Sequence, residues 1–189
     1  MIKQQLRDTY LQLRKQISSK DKLQFDDLML LQFQQLNLNH INTLLTFWGI
    51  ANNNEPNTHL FSSYLRHTIP NLQMAYPVSN FETNEMKAIL IDEETVYKTN
   101  NYGITEPKFG DEINATEIDL VLVPLIVCDK QGFRVGYGKG FYDKFLATCS
   151  PNVITIGCSY FEPIDKIDDA TSFDIPLSCC ITPTNIYEF

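Results

Sequence analysis

The 189-residue chain lacks the charge and the hydrophobic runs that mark nucleic-acid-binding and membrane proteins. It carries 15 lysines and arginines against 23 aspartates and glutamates, so its net charge is −8. An acidic chain has no basic surplus with which to hold a nucleic acid. No apolar run approaches the length of a bilayer span, and the polar N-terminus is unlike a signal peptide. We therefore expect a cytoplasmic protein without a nucleic-acid or membrane partner.

The composition also gives little support to disulfides, thiol catalysis or a histidine metal site. The five cysteines are odd in number, include no Cys-x-x-Cys pair and lie in apolar surroundings. We expect them to be reduced and buried rather than catalytic. The histidines, His40, His59 and His67, show no metal-ligand spacing, and we expect them at the surface or on helices.

The sequence lacks an internal repeat, a low-complexity stretch and any linker long enough to divide it. Residues 1–189 are therefore predicted to form a single domain, since this length allows a substantial core. Apolar segments alternate with amphipathic ones along the chain, which is typical of a largely parallel sheet with helices on both faces. The predicted fold class is α/β, a single-domain three-layer α/β/α sandwich with a largely parallel central sheet.

Hydrophobic periodicity places the individual elements. One helix is predicted over residues 2–17, a second from Ser18 or Ser19 to residue 36, and a third over 58–68 with Thr58 as its cap. In the second helix the residues expected to face inward are Leu23, Leu28, Leu31 and Leu36. The predicted strands span residues 43–50, 73–78, 86–91, 118–128, 153–160 and 179–182.

The segment from Ile118 to Leu146 concentrates the residue types that bind anions. An apolar run without alternation ends at Cys128, as expected of a strand buried on both faces, and turn residues follow it. Three glycines then occur at alternate positions, Gly136, Gly138 and Gly140. Glycines allow positive φ and close approach of a ligand, so that amide N–H groups can converge on an anion beside a helix N-terminus.

Charged side chains surround these glycines. Arg134 and Lys139 supply cationic donors suited to phosphate oxygens. Asp143, in the first turn of the next predicted helix, is a hard oxygen ligand of the kind that Mg²⁺ prefers. The loop has no Ser or Thr after Lys139 and no glycine at position 141, so it is neither a Walker loop nor a dinucleotide fingerprint. The pattern favours a magnesium–nucleotide or another phosphate ester over a plain turn with solvated charges.

Two segments in the N-terminal third of the chain, a basic helix and an asparagine-rich loop, are further candidates for the site. The helix over residues 2–17 is basic, and its spacing alone favours a solvated charged face. The asparagine-rich loop 52–57 follows the strand over 43–50, at the end where ligands bind in open α/β sheets. Trp48, just before this loop, is expected in the core.

Taken in order along the chain, these segments resemble the 5-formyltetrahydrofolate cyclo-ligase family. Residues 129–143, Asp-Lys-Gln-Gly-Phe-Arg-Val-Gly-Tyr-Gly-Lys-Gly-Phe-Tyr-Asp, are similar to the family's central signature. Residues 3–7 resemble its Lys-x-x-Leu-Arg opening, residues 54–56 its substrate loop, and residues 173–177 its C-terminal His-Asp-x-Pro segment. The chain departs from the family pattern at Phe173 in place of His, Ser178 in place of Asp and Phe141 in place of Tyr.

The resemblance implies a reaction and its participants. The reaction is the ATP-dependent cyclisation of 5-formyltetrahydrofolate to 5,10-methenyltetrahydrofolate, with release of ADP and phosphate after phosphorylation of the formyl oxygen. ATP is then a co-substrate, Mg²⁺ a cofactor, and both substrates small molecules. The protein is expected to be a monomer or a weak homodimer.

The resemblance further implies roles for individual residues. Lys139 and Arg134 are the expected catalytic residues, and Asp143 and Asp174 the expected metal ligands. The expected ATP contacts are Lys3, Gln4, Gln5, Leu6, Arg7, Arg134, Val135, Gly136, Tyr137, Gly138, Lys139, Gly140, Phe141 and Tyr142. The expected folate contacts are Arg7, Ile50, Glu55, Tyr137, Gly138, Lys139, Gly140 and Phe141. For Phe141, packing on the helix face is an equal alternative to stacking on a ligand ring.

Two other functions remain open at this point. A sugar-phosphate isomerase or deaminase on a related sheet would need a catalytic carboxylate and a lysine but no nucleotide. A nucleotide-binding module that lost catalysis is the other alternative, and the presence of Lys139, Arg134 and Asp143 disfavours it. Consumption of ATP with 5-formyltetrahydrofolate separates the first alternative from the cyclo-ligase.

Overall fold

A computed structural model describes residues 1–189 as four α-helices and twelve β-strands. The helices are α1 (Lys3–Gln16), α2 (Ser19–Phe33), α3 (Thr58–Thr68) and α4 (Phe141–Leu146). The strands are β1 (Thr43–Leu45), β2 (Gln73–Asn80), β3 (Glu85–Leu90), β4 (Tyr97–Thr99), β5 (Thr105–Pro107), β6 (Glu112–Ile113), β7 (Leu120–Val123), β8 (Val127–Cys128), β9 (Arg134–Val135), β10 (Ile154–Cys158), β11 (Cys179–Ile181) and β12 (Ile186–Glu188).

Eight of the strands form one central sheet in the order β12-β11-β10-β7-β1-β2-β3-β6. The inner strands from β11 to β2 run parallel, whereas β12, β3 and β6 pair antiparallel with their neighbours. The predicted α/β fold with a largely parallel sheet is confirmed. After β1 the chain moves to β2 on one side, and after β7 it moves to β10 on the other. Such a switch point leaves a crevice at the carboxyl ends of β1 and β7.

Strand β7 shows how the two faces of the sheet are covered. Leu120 and Leu122 are buried in a cluster with side chains of α2 and α3. Val121 and Val123 are buried in a second cluster, to which α4 contributes. Because successive side chains of a strand point to opposite faces, a strand without polar residues must be covered on both. The expectation for this part of the apolar run is confirmed.

The apolar run does not, however, continue as one strand to Cys128. It breaks at residues 124–126 and resumes as β8, which pairs antiparallel with β9. Pro124 has no N–H for the sheet ladder. Leu125 packs onto Gly157 of β10, where an added Cβ would lie 2.2 Å from a Leu125 methyl. The glycine loop therefore follows a hairpin that leaves the sheet, not the central strand itself.

Helix α2 ends earlier than predicted, and two of the four residues expected to face inward, Leu23 and Leu31, do not, whereas Leu28 is half-buried and Leu36 packs against the core. Leu23 and Leu31 are 67% and 57% exposed, whereas Met29 and Phe33 are buried. The second half of α2 is apolar on nearly every side, so spacing alone could not select the buried face. Ser18 caps this helix as expected, since its side chain accepts a hydrogen bond from the Asp21 N–H.

The ends of two other elements differ from expectation. The cap of α3 is Asn57, whose side chain accepts from the His59 N–H, while the Thr58 hydroxyl donates to the Phe47 carbonyl. Strand β1 ends at Leu45 rather than at residue 50. Trp48 consequently lies beyond the sheet and is 39% exposed, so its expected place in the core is wrong.

Helix α1 and the hairpin of β8 and β9 form a unit at the carboxyl edge of the sheet. Leu6 of α1 packs with Val127, Val135 and Ile167 in a small separate core. The five cysteines are unpaired, and all but Cys149 are buried. None of the four helices has the length and apolar character that a membrane crossing requires.

Candidate functional site

A cavity of about 530 Å³ opens at the carboxyl edge of the sheet. Phe47 and Trp48 follow β1, Pro124 follows β7, and Pro77 and Ser79 belong to the end of β2; all five line the cavity. The cavity thus lies at the switch point between β1 and β7, where the fold leaves a crevice. Helix α1 and the glycine loop close its other side.

The glycine loop has the backbone conformation that its residues allow. Gly138 and Gly140 have φ values of +86° and +72°, whereas Gly136 has no positive φ. A Cβ at Gly138 would lie 3.1 Å from the Arg7 guanidinium, while one at Gly136 would meet nothing within 4 Å. Of the three glycines in this loop, only Gly138 therefore combines a left-handed backbone with a close neighbouring side chain.

Arg7 joins α1 to this loop. Its Nε donates to the Gly136 carbonyl at 2.9 Å, and its Nη1 donates to Gln4 at 2.7 Å. Lys139 is exposed at the cavity and makes no hydrogen bond or ion pair. Both cations line the cavity, as does Gly140. The expected convergence of the N-terminal helix and the central signature is thus present in the structure.

Arg134 is buried and already paired. Its Nη2 donates to Asp143 Oδ1 at 2.9 Å, and its Nη1 donates to the Ile175 carbonyl. Burial lowers the pKa of Arg134, and the neighbouring Asp143 opposes that shift. The expected catalytic role of Arg134 is compatible with its place in the cavity lining, but in this structure it also fixes α4 to the segment before β11.

The two expected metal ligands both line the cavity. Asp143 Oδ1 accepts from Arg134 and from the Ile175 N–H, while its Oδ2 makes no hydrogen bond. Asp174 accepts from Lys3 Nζ at 2.6 and 2.7 Å. Burial alone would raise the pKa of Asp174, but the hydrogen bonds from Lys3 and Thr171 outweigh it and lower the pKa. No group of three His, Cys, Asp or Glu side chains forms a ready metal cage.

Glu55 lies at the bottom of the cavity and is 5% exposed. Its Oε2 accepts from the Ile50 N–H at 2.6 Å, and its Oε1 accepts from the Tyr137 hydroxyl. Arg14 Nη2 in turn donates to that hydroxyl at 2.6 Å and lies 4.0 Å from Glu55 Oε1. Burial raises the pKa of Glu55, and Tyr137, the Ile50 N–H and Arg14 oppose the shift.

Aromatic side chains line the mouth of the cavity. Phe81 stacks on Tyr102 with ring centroids 4.0 Å apart, and Phe141 meets Phe81 edge-on at 5.1 Å. Phe141 also contacts the core cluster beneath α4, so both of its expected roles are compatible with its position. The Tyr142 hydroxyl is buried in the cavity lining without any hydrogen-bond partner. Burial raises the pKa of Tyr142, so the hydroxyl keeps its proton.

Four expected ATP contacts lie outside the cavity lining. Gln4 bonds Arg7 and Asp8, Gln5 accepts from the Ile2 N–H, and Leu6 and Val135 are buried in the small core. The other expected residues, including Ile50, line the cavity.

Three residues of the site were missed by sequence reasoning. The spacing of the basic helix over residues 2–17 favours a solvated charged face, but Arg14 on this helix is only 2% exposed. Phe81 and Tyr102 give no signal in the sequence. Arg14 lies seven residues after Arg7, which places both on one side of the helix, and this spacing was the available signal.

Comparison with known proteins yields one family. Residues 1–161 match the model of the 5-formyltetrahydrofolate cyclo-ligase family. A 5-formyltetrahydrofolate cyclo-ligase from Mycoplasma genitalium is 30% identical over 123 residues, which cover 61% of this chain and 74% of the relative. One from Haemophilus influenzae is 37% identical over 88 residues, which cover 44% of this chain and 46% of the relative.

Solved structures show the same architecture. The 5,10-methenyltetrahydrofolate synthetase of Aquifex aeolicus superposes with a TM-score of 0.81 and 22% identity, covering all of this chain and 93% of that one. The synthetase of Mycoplasma pneumoniae superposes with a TM-score of 0.75 and 26% identity, covering 97% of this chain and 99% of that one. The likeness extends over the whole sheet and its helices.

Proposed function

The chain belongs to the 5-formyltetrahydrofolate cyclo-ligase family, and we propose that its cavity catalyses the ATP-dependent cyclisation of 5-formyltetrahydrofolate to 5,10-methenyltetrahydrofolate. Members of this family are ligase-type enzymes of folate and one-carbon metabolism. We further propose that residues 1–189 act as one domain, in the cytoplasm, as a monomer or weak homodimer. The two substrates are ATP and the folate, which meet in the same cavity.

The chemistry explains why a phosphate site and a folate site must adjoin. The formyl carbon is a poor electrophile, because N5 donates into its carbonyl and oxide is a very poor leaving group. Transfer of the γ-phosphoryl group from ATP to the formyl oxygen makes that oxygen part of a phosphate ester. N10 then bonds the carbon and loses its proton, and the carbon–oxygen bond breaks to release phosphate. The protein has to hold the donor and acceptor in line.

The glycine loop and α1 supply the phosphate side of the cavity. Lys139 has no partner within the protein, so its ammonium is available to the transferred phosphoryl group. Arg7 lies above Gly138 and can add a second cation. Main-chain N–H groups of Gly138 and Gly140 are the natural further donors, and together these groups neutralise charge that builds up in the transition state.

Glu55 and the aromatic mouth supply the folate side. The pteridine edge presents several N–H groups in a row, which a carboxylate can accept from while ionised. Phe81, Tyr102 and Phe141 offer flat surfaces for the rings of the folate. The Tyr142 hydroxyl, buried without a partner, has a proton to donate to a bound oxygen.

The carboxylates fit a magnesium ion that arrives with the nucleotide. Mg²⁺ commonly uses one or two protein carboxylates, with phosphate oxygens and waters completing its octahedron. Asp143 has a free oxygen at the cavity, and Asp174 could join it if Lys3 turned toward the phosphates. Asp143 and Asp174 are the residues that would hold Mg²⁺, and the ion would supply positive charge that screens the phosphates.

The observation that supports this function best is the shared cavity, whose lining includes an unpaired lysine on a glycine loop, a buried glutamate and several aromatic side chains. An isomerase or deaminase would need no such nucleotide loop. The test mixes the protein with ATP, Mg²⁺ and 5-formyltetrahydrofolate and follows the methenyl chromophore together with ADP. We expect both products in equal amounts and neither when ATP is omitted. Chromophore without ADP, or no chromophore, would contradict the proposal.

A further inference from the structure

Tyr137 lies between a buried cation and the buried carboxylate of the cavity. It follows Gly136 in the glycine loop, yet its side chain reaches across to Glu55, to which its hydroxyl donates. Arg14 donates to the same hydroxyl from behind at 2.6 Å. The three side chains therefore form one chain of hydrogen bonds that runs from α1 to the bottom of the cavity.

Arg14 is fixed in place by more than this contact. Its Nη1 donates to the Leu125 carbonyl at 2.9 Å, in the segment where the apolar run leaves the sheet. The side chain of Asn54 donates to the backbone carbonyls of Arg14 and Ile17, so the loop that carries Glu55 is bound to the end of α1. The Leu125 carbonyl holds the Arg14 guanidinium, and the Ile50 N–H holds the Glu55 carboxylate. The Tyr137 hydroxyl connects these two side chains.

This arrangement is not explained by stability alone. Arg14 is 2% exposed, and its Nε has no hydrogen-bond partner. Burial of a guanidinium with an unmet donor costs free energy that an apolar residue would not cost. The buried guanidinium lies next to a carboxylate that lines the cavity, so a role in the function of that carboxylate would account for its presence.

We propose that Tyr137 is a positioning residue that aims Glu55 at the N–H edge of the folate, with Arg14 holding the tyrosine hydroxyl in place. With Tyr137 on Oε1 and the Ile50 N–H on Oε2, the plane of the carboxylate is fixed and each oxygen keeps one lone pair for the ligand. This inference rests on the proposed function and adds a role for residues that do not touch the reacting atoms.

The charged groups around Glu55 come from several elements. Arg14 approaches from α1, Lys22 from α2 and Tyr137 from the glycine loop, and Tyr142 of α4 is close enough for Glu55 to raise its pKa. The cations and the hydrogen-bonded hydroxyl favour the ionised carboxylate against its burial. Loss of the Tyr137 hydroxyl would leave Glu55 less ionised and held by the hydrogen bond from the Ile50 N–H alone.

The test is a double-mutant cycle read by ligand binding. Trp48 is the only tryptophan and lines the cavity, so its fluorescence follows titration with 5-formyltetrahydrofolate without turnover. We expect Tyr137→Phe to raise the Kd roughly tenfold, the scale of one hydrogen bond to a charged group. In a Glu55→Gln background the same change should alter the Kd less than about twofold, because the carboxylate that Tyr137 aims is gone.

A matched control separates this effect from loss of any tyrosine–glutamate contact. Tyr187 donates to Glu162 at the far edge of the sheet, outside the cavity, and Tyr187→Phe should leave the Kd unchanged. Arg14→Gln serves as a second variant. It should raise the Kd in the parent chain, and it should raise the Kd much less in a chain that already carries Tyr137→Phe.

Equal losses in the parent and Glu55→Gln backgrounds would overturn the proposal, because Tyr137 would then contact the ligand itself. An unchanged Kd in Tyr137→Phe would also overturn it. A chain that binds the folate but does not convert it would count against the proposed function, while the binding cycle would still decide the role of Tyr137.

Discussion

Lys139 differs from the other cations of the cavity in having no partner. Lys3 is bound to Asp174, Arg7 to Gly136 and Arg134 to Asp143, so only the Lys139 ammonium can respond fully to charge that develops on a bound ligand. In a protein of net charge −8, an unpaired lysine above a glycine loop marks where an anion is expected.

Removal of this ammonium should affect the chemical step. We expect Lys139→Ala to lower kcat by about a hundredfold or more, the scale of one transition-state donor, as measured by methenyl formation. Lys144→Ala is the control, since Lys144 of α4 lies outside the cavity lining and its ammonium donates only to the Asn84 carbonyl. Equal activity in both variants would show that the loop does not bind the phosphoryl group.

Glu55 gives the site a pH dependence with a definite sign. Burial raises its pKa above the usual 4.5, against the opposing effects of Tyr137, Ile50, Arg14 and Lys22. As the pH falls through this raised pKa, the ionised acceptor is lost, so the KM for the folate should rise on the acid side. The folded state binds this proton more tightly than the unfolded state does. The contribution of Glu55 to the free energy of unfolding therefore becomes more favourable as the pH falls through the raised pKa.

Kinetics as a function of pH test this expectation. The acid limb of kcat/KM for the folate should lie above pH 4.5 and move further up in Tyr137→Phe, since that hydrogen bond lowers the pKa of Glu55. In Glu55→Gln the limb should disappear. A limb that is identical in the parent chain and in Glu55→Gln would assign it to another group.

The sequence predicts some residues of the site and misses others. Glu55, Arg7 and Lys139 could be placed together because the family resemblance orders them along the chain. Arg14 was missed because a basic residue on an amphipathic helix usually remains solvated, and only the folded chain brings Tyr137 and Leu125 to it. The spacing from Arg7 shows which side of the helix Arg14 occupies, but it does not show which distant residues contact that side.

At the scale of elements, the glycine loop depends on α1. Gly138 has φ of +86°, and a Cβ there would lie 3.1 Å from the Arg7 guanidinium. We expect Gly138→Ala to destabilise the chain by about 1 kcal/mol or more, because alanine is strained at positive φ. Gly136→Ala is the matched control, since its φ is not positive and its added Cβ would meet nothing within 4 Å.

Chemical denaturation measures both variants. The midpoint should fall in Gly138→Ala and stay close to that of the parent chain in Gly136→Ala, with unchanged slopes. The KM for ATP should also rise in Gly138→Ala, because Arg7 must move. If the two alanine variants were equally stable, the left-handed backbone at Gly138 would not be required.

Elements were predicted well where their pattern was unambiguous. The helices α1 and α3 and the strands β2 and β3 lie within two residues of their expected limits. The strand expected over 118–128 was cut short because Pro124 and the fit of Leu125 onto Gly157 outweigh a continuous apolar pattern. Leu23 and Leu31 of α2 were wrongly expected to be buried in place of Met29 and Phe33. Which side of this apolar helix is buried depends on its contact with the sheet, which local spacing does not show.

At the scale of the whole molecule, fold class and site location follow from the same pattern. Alternation of strands and helices predicts a parallel sheet, and a parallel sheet places its ligand at the carboxyl ends of the strands. The order of the strands decides where along that edge the crevice opens. That order depends on which strands pair, and the local hydrophobic pattern does not show it.

If residues 1–189 form one domain, as we propose, the chain should unfold in one cooperative step. The two large core clusters lie on opposite faces of one eight-stranded sheet, so neither can open without exposing strands of the other. Denaturation curves followed by Trp48 fluorescence, which reports the cavity wall, and by far-UV circular dichroism should therefore coincide. A folate at a hundred times its Kd should stabilise both signals together by about 2.7 kcal/mol. Two separate transitions, or stabilisation of the fluorescence signal alone, would show that the cavity wall unfolds independently of the sheet.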